Sequence, residues 1–464
     1  MGQKTAQVVI IGGGISGLSA AWEVQQAGLS YVMLEAGDRW GGKIVTEHVQ
    51  TDAGIFRVEG GAESFVARKP AIWQIAKDMA ATDEVVSDES HATGIRILND
   101  GIPMPLPMGP LKFLRTRMLT PRGKLRLLME PFVPAKADSD DESLASFVER
   151  RLGPEAHERM IGPILGGIYN ADTTRQSIMV TSPVMRMMEK KHGSLFKAVA
   201  AMKFKKKPTT TDTAGPPGRF ITFADGSGGF INAIVSRLTG DLRLNAPVER
   251  VRLEADGYRV EVAGEAITAD AVLIATPANV GVRLLAEAAP EAVALMDEIE
   301  HVNIGTASLM YPKAAFANVE RFTGLMIPQR EKRCIDAITW TSYKKPQTVP
   351  AGYEMLRIHF GGGNPETVTM PEDELLRVIG AELRALIPGF DANPVDYRVY
   401  RWADSYPQAD VDHLDHVTAI EAALPPGVYV TGSSYRGLAV PDCVGQAVKT
   451  ARALIGQFNE EEQG

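Results

Sequence analysis

The chain has 464 residues, 45% of them hydrophobic and 23% charged, with 49 lysines and arginines against 57 acids. That length exceeds one ordinary core and calls for two or three domains, and a net charge of −8 excludes general affinity for nucleic acid. Two distant cysteines, Cys334 and Cys443, exclude a disulfide framework and a structural zinc site, so no metal is expected and a reducing cytoplasm is the natural compartment.

Val8–Ile11 is a short apolar run that leads straight into glycines, which makes it a strand and not a secretion signal. Gly12-Gly13-Gly14-Ile15-Ser16-Gly17 follows, then a helical run to Gly28, then a second strand, Tyr31-Val32-Met33-Leu34-Glu35. Each flanking element stands in the order that dinucleotide binding requires. Gly12 permits the tight turn, Gly14 lets backbone approach a pyrophosphate, and Gly17 lets helix and strand pack closely. The helix N-terminus offers unpaired N–H groups to phosphates. Glu35, closing the second strand, is placed to accept from the adenosine ribose.

Ala36-Gly37-Asp38-Arg39-Trp40-Gly41-Gly42-Lys43 comes next, where a nicotinamide domain would enter its next crossover helix. A glycine pair flanked by cations lets backbone lie along a cofactor while Arg39 and Lys43 supply charge near phosphates. This run resembles the motif after the second strand in the FAD family of amine oxidases, carotenoid desaturases and porphyrinogen oxidases. FAD is therefore the expected cofactor. A further contact is expected from Gly60-Gly61-Ala62-Glu63-Ser64, whose small residues permit close approach.

The second half returns to the cofactor. Leu242–Leu244, Val248–Leu253, Tyr258–Val262, Ala271–Ile274 and Val428–Val430 read as strands, and about Cys443–Gln457 as a helix. The expected fold class is α/β plus α+β: a discontinuous Rossmann-type FAD-binding domain (1–85, 220–285 and 425–464), a mostly helical insertion (86–205), a Pro/Gly-rich linker (206–219) and a sheet-walled substrate domain (286–424). No run of about 18 apolar residues exists to span a bilayer as a helix. Leu111–Met129 interleaves Lys112, Arg115, Arg117, Arg122, Lys124 and Arg126 with Leu, Phe and Met, and holds no acid. Three readings stand for it: an anionic bilayer surface on the inner face of a membrane, a solvated helix face, or the basic rim of an anionic-substrate channel.

The whole chain resembles the oxygen-dependent protoporphyrinogen/coproporphyrinogen oxidases of haem biosynthesis, most nearly the soluble bacterial coproporphyrin-forming type. The resemblance is carried by Gly60–Lys69, Asp141–Val148, Ile161–Tyr169, Cys334–Pro346 and Gly432–Gly437 followed by Val440-Pro441-Asp442-Cys443. Ala62-Glu63 and Asn170 depart from the usual residues in two loops.

The resemblance implies a six-electron oxidation of a porphyrinogen in three hydride transfers to flavin, with O₂ as acceptor and peroxide as product. It also leaves room for contacts with other haem-pathway enzymes. It places Gly166 and Gly167 against the tetrapyrrole, Arg68 and Lys69 at substrate propionates, Val248 at adenine, Trp402 beside the flavin, and Gly432, Leu438, Ala439 and Val440 in a C-terminal flavin signature. Lys344 and Lys345 join Arg68 and Lys69 in favouring coproporphyrinogen, with four propionates, over protoporphyrinogen, with two. No nucleophile–base pair is evident and no general base is named; His192, His301 and His359 sit in ordinary contexts. An amine oxidase and a flavin-free scaffold are the rival readings.

Overall fold

The computed structural model describes residues 5–88, 94–107, 109–169, 171–204, 218 and 220–461. The expected linker falls almost entirely outside the described residues, as does Asn170.

Five parallel strands form the first sheet, in the order Asp241–Arg243, Tyr31–Leu34, Val8–Ile11, Ala271–Ile274, Val428–Val430. The chain leaves Val8–Ile11 toward one side first and returns on the other, so the glycine loop sits at the topological switch point, where doubly wound sheets bind ligands. Val8–Ile11 and Ala271–Ile274 are fully buried, as strands covered on both faces must be. Helices Ile15–Gln26 and Val440–Glu461 pack together on one face, joining Leu18, Ala21, Val24, Val444, Ala447 and Ala451 in one core. The antiparallel sheet Val248–Glu254, Gly257–Val262, Glu265–Ala269 covers the other side.

A seven-stranded sheet runs Asp396–Pro407, His301–Pro312, Tyr353–Phe360, Ala337–Trp340, Gly324–Met326, Ile95–Asn99, Ile102–Pro105. Its back face buries Leu325, Ile338, Leu356 and Ile358 against the amphipathic helix Glu372–Leu386. The last two strands come from the start of the segment read as mostly helical. Ile95–Asn99 is too short to show a period, and Pro103 and Pro105 are tolerated because Ile102–Pro105 is an edge strand.

The remaining insertion is helical and holds a small apolar core of Leu144, Phe147, Val148, Ile178 and Leu195. Much of its interior is ionic. Arg151, with no exposed surface, pairs with Glu130 and lies 3.5 Å from Glu189. Glu189 also receives Arg150 at 2.6 Å and Arg186 at 2.5 Å. Glu130 further accepts from Ser194 and the N–H groups of Leu195 and Phe196. Burial alone would raise both carboxyls, but these donors and cations hold Glu130 and Glu189 below the usual range.

Groups with depressed pKa stabilise the fold above the ordinary carboxylate value and lose that contribution as pH falls through the folded value. The helical insertion should therefore loosen below about pH 4, seen as proteolytic nicking in 110–204 before the rest of the chain is cut. Arg151→Met should lower stability by about 3–5 kcal/mol, because two buried carboxylates lose their shared cation; urea unfolding of the variant measures it.

Candidate functional site

The glycine loop is built from backbone laid on backbone. A Cβ on Gly17 would stand 2.0 Å from the Gly12 carbonyl oxygen, and one on Gly12, whose φ is +109°, would meet Ala275 backbone at 3.0 Å. Gly14 differs: with φ −73° and nothing within 4 Å of its Cβ position, it faces open space. Ile15 and Ser16 are buried in the first helical turn. Glu35 accepts from Gly13 N–H at 2.6 Å and Gly37 N–H at 2.8 Å, one on each oxygen, which leaves lone pairs for further donors. Beside it opens a cavity of about 370 Å³ lined by Gly12, Glu35, Ala36, Val248 and Thr276. Residues from the first and second halves of the chain thus share one cleft.

The second glycine pair lies on the first loop. Gly41 N–H donates to Gly13 O at 2.8 Å, Gly14 and Gly41 form a parallel bridge, and a Cβ on Gly42 would be 3.2 Å from Gly14 Cα. Arg39 donates to Gly42 O at 2.6 Å and stacks over the Trp402 ring at 5.9 Å. Lys43 donates to Ser405 O and has no acidic partner among the described residues. Burial lowers it to about 8, and it lies near Cys443, whose thiol burial pushes up to about 11. Cys443 in turn reaches Ser16, so the N-terminal end of helix Val440–Glu461, with Leu438 and Ala439 before it, closes on the same loops. Gly432, at φ +131°, brings Ser16 Oγ within 4.0 Å of its Cβ position. An unpaired buried cation, an open face at Gly14 and a cleft between Glu35 and Val248 suit an anionic dinucleotide. The residues present fit FAD.

The Gly60–Ser64 loop is clamped to this cradle. A Cβ on Gly61 would stand 1.7 Å from Lys43 O, and one on Gly60 would press into the Tyr400 ring at 2.8 Å. Thr306 donates to Gly60 O at 2.9 Å and Arg357 donates to Gly61 O. The Glu63 carboxylate is engaged by Lys344, Lys345 and Arg357, which together overcome burial and hold it well below the usual range. Its side chain is thereby committed inward, and only the loop backbone, with Ala62 and Ser64, is left to face a cofactor.

The sheet supplies a wall. Paired residues share a face, and one row crosses five strands: Tyr400, Thr306, His359, Ala337, Met326. Trp402, two residues from Tyr400, shares that face. At the far end, Met326 Cε lies 3.0 Å from the Cβ position of Gly167. Gly166 and Gly167 stand inside helix Gly162–Tyr169, after a π-turn at His157–Ile161. Gly166 faces Thr173 rather than the wall. The row therefore runs from the Gly60 loop to Gly167.

The expected propionate cations are differently employed. Lys69 is bidentate to Asp442 at 2.6 and 2.5 Å. Lys344 pairs with Glu63, and Lys345, 4% exposed, pairs with Asp88 at 2.7 Å. Arg68 is exposed, with no carboxylate partner among the described residues. These acids neutralise three of the four cations within the protein, and the charge basis for choosing a four-propionate substrate falls with them. Thr306, Arg357, His359, Tyr400 and Ser405 were missed. Arg357 and His359 alternate with Leu356, Ile358 and Phe360, and that period-two pattern was the available signal.

Gly14→Val should fold normally, since its Cβ enters open space, yet retain little flavin. Gly17→Val should fail to fold. Thermal melting and flavin-to-protein absorbance after gel filtration measure both, and a folded Gly14→Val protein with full flavin would remove the pyrophosphate from this loop.

The sequence pattern of the flavin-containing amine oxidoreductases matches residues 15–455. A coproporphyrinogen III oxidase of Bacillus subtilis is 30% identical over 471 residues, covering 96% of this chain and 97% of that one. Protoporphyrinogen oxidase 2, chloroplastic/mitochondrial, of Arabidopsis thaliana is 23% identical, covering 97% and 94%. A crystal structure of an Exiguobacterium protein, provisionally named a protoporphyrinogen oxidase, superposes with a TM-score of 0.84 at 26% identity, covering 98% of this chain and 100% of that one.

Proposed function

The chain belongs to the flavin-containing amine oxidoreductase family, and we propose that it oxidises coproporphyrinogen III to coproporphyrin III in haem biosynthesis, using FAD and O₂ and releasing H₂O₂. One observation carries the choice of substrate. The relation to a bacterial coproporphyrinogen III oxidase runs through 96% of the chain, helical insertion included, at higher identity than the relation to a protoporphyrinogen oxidase.

Bound flavin supplies the hydride acceptor and its reoxidation by O₂; the protein binds, orients and shields. The loop Gly12–Gly17 and the helix N-terminus behind it hold phosphates, Glu35 and Val248 hold the adenosine end, and Lys43 answers negative charge. Thr306, Tyr400 and Arg357 fix the Gly60–Ser64 loop to the sheet, so the loop and the wall keep one mutual position. Substrate lies along the wall toward Gly167, whose bare backbone lets Met326 close that end of the row. No nucleophile is required, because the bond broken is C–H and the electrons leave as hydride.

Given anaerobically prepared coproporphyrinogen III and then air, the protein should develop porphyrin fluorescence and three peroxides per porphyrin, without added nicotinamide. Comparison with protoporphyrinogen IX tests the runner-up substrate: a higher kcat/KM for it would reverse the assignment.

The proposal extends to a peripheral contact with an anionic bilayer. Leu111, Leu114, Leu125, Leu128 and Phe132 are exposed among Lys112, Arg115 and Arg117, which have no acidic partner among the described residues. Arg126 is not available, since it caps the helix Leu144–Leu152 through Arg150 O and Arg151 O. No helix among the described residues is long and apolar enough to cross a membrane. The protein should co-sediment with vesicles rich in anionic phospholipid and not with neutral ones, and Leu114→Glu with Leu125→Glu should abolish that. Equal recovery with both vesicle types would mark a solvated face.

A further inference from the structure

His359 occupies the centre of the chamber wall. Its neighbours in the row are Thr306, which holds the Gly60 loop, and the small side chain of Ala337. Beyond Ala337 comes Met326, against Gly167. With strands about 4.8 Å apart, the row from Thr306 to Met326 measures about 14 Å. His359 sits one step from the flavin-loop end.

The imidazole is enclosed by protein yet keeps accessible surface, as a group lining an internal chamber does. Neither ring nitrogen has a hydrogen-bond partner among the described residues, and neither is sealed from that space. Each of the other polar side chains of this row is used within the protein: Thr306 on Gly60 O and Tyr400 on Glu47 at 2.7 Å. Burial and the Arg357 guanidinium, two residues back on the same face, lower His359 to about 3, so it stays neutral throughout the physiological range. A neutral imidazole offers one acceptor and one donor; an imidazolium would offer no acceptor.

Resting on the porphyrinogen reading above, we propose that His359 hydrogen-bonds the pyrrole nitrogens at the centre of the tetrapyrrole and thereby seats the macrocycle on the wall. Pyrrole N–H groups are donors that a neutral imidazole accepts, and the sp³ bridges of a porphyrinogen let its pyrroles tilt those N–H groups toward one face. Peripheral carboxylates would call for a cation, which His359 is not. The contact is therefore indifferent to the number of propionates. It binds substrate class, not substrate identity.

The test uses the flavin-loaded protein in steady-state oxidation of coproporphyrinogen III and protoporphyrinogen IX. One net hydrogen bond corresponds to roughly a three- to tenfold change. His359→Phe should raise KM for both porphyrinogens by that factor and by equal amounts, with kcat little changed, and leave flavin per chain unaltered. His359→Gln, which keeps a donor and an acceptor, should stay within about twofold of the wild type. His359→Leu carries the same expectation as phenylalanine if the latter does not fold. An unchanged KM in the phenylalanine or leucine variant would make His359 inert lining, and a loss confined to coproporphyrinogen would make it a carboxylate contact; either overturns the inference. Absence of porphyrinogen oxidation by the wild type would overturn the functional reading instead.

Discussion

Three segments far apart in sequence meet at the cofactor cradle through bare backbone, and everything else is arranged around that contact. The loop 12–17 carries the Gly41–Gly42 turn, and Lys43 O carries Gly61 at a distance no Cβ could survive. Close backbone stacking leaves N–H groups aimed into one cleft and removes side-chain rotamers that would blur its shape. The stack also fixes the chamber, because Gly60 and Gly61 are in turn gripped by Thr306 and Arg357 from the sheet. Cradle and wall are joined through that loop.

Charge follows the same economy of position. Glu63, Asp88 and Asp442 take up Lys344, Lys345 and Lys69, so cations that sequence alone offers to a substrate are spent inside the protein. Removing Asp88 or Glu63 would leave a largely enclosed lysine without that partner, which is costly in a low-dielectric setting, whereas Lys69 and Asp442 are both partly exposed. Lys43 is the contrast: enclosed beside the glycine loops, it meets a backbone carbonyl and has no acidic partner among the described residues. The chamber wall itself presents hydroxyls, aromatic rings, a thioether and a neutral imidazole, with the Arg357 guanidinium on the same face.

The helical insertion is held differently. Its apolar core is small, and a network around Glu130, Arg151 and Glu189 ties helix starts and ends together. Such networks define geometry more than they add stability. Since the same insertion delivers Gly167 to Met326, its geometry bears directly on the chamber.

The dinucleotide fold was legible in the chain because its signals are local: a four-residue buried strand, glycines at set offsets, and an acid closing the next strand. The return of the chain at Val248 and Val428 to that fold was also legible, from short apolar runs with turn residues between them. What escaped depended on pairing across long separations. The strands Ile95–Asn99 and Ile102–Pro105 are too short to declare themselves, and become strands only because Gly324–Met326 offers an edge to pair with. Lys69 and Lys344 read as free cations because nothing local shows that Asp442 and Glu63, 373 and 281 positions away, will meet them. His359 read as ordinary for the same reason. A side chain's type is written in the sequence, but which neighbours neutralise it, and which empty space it faces, is settled only when distant strands come into register.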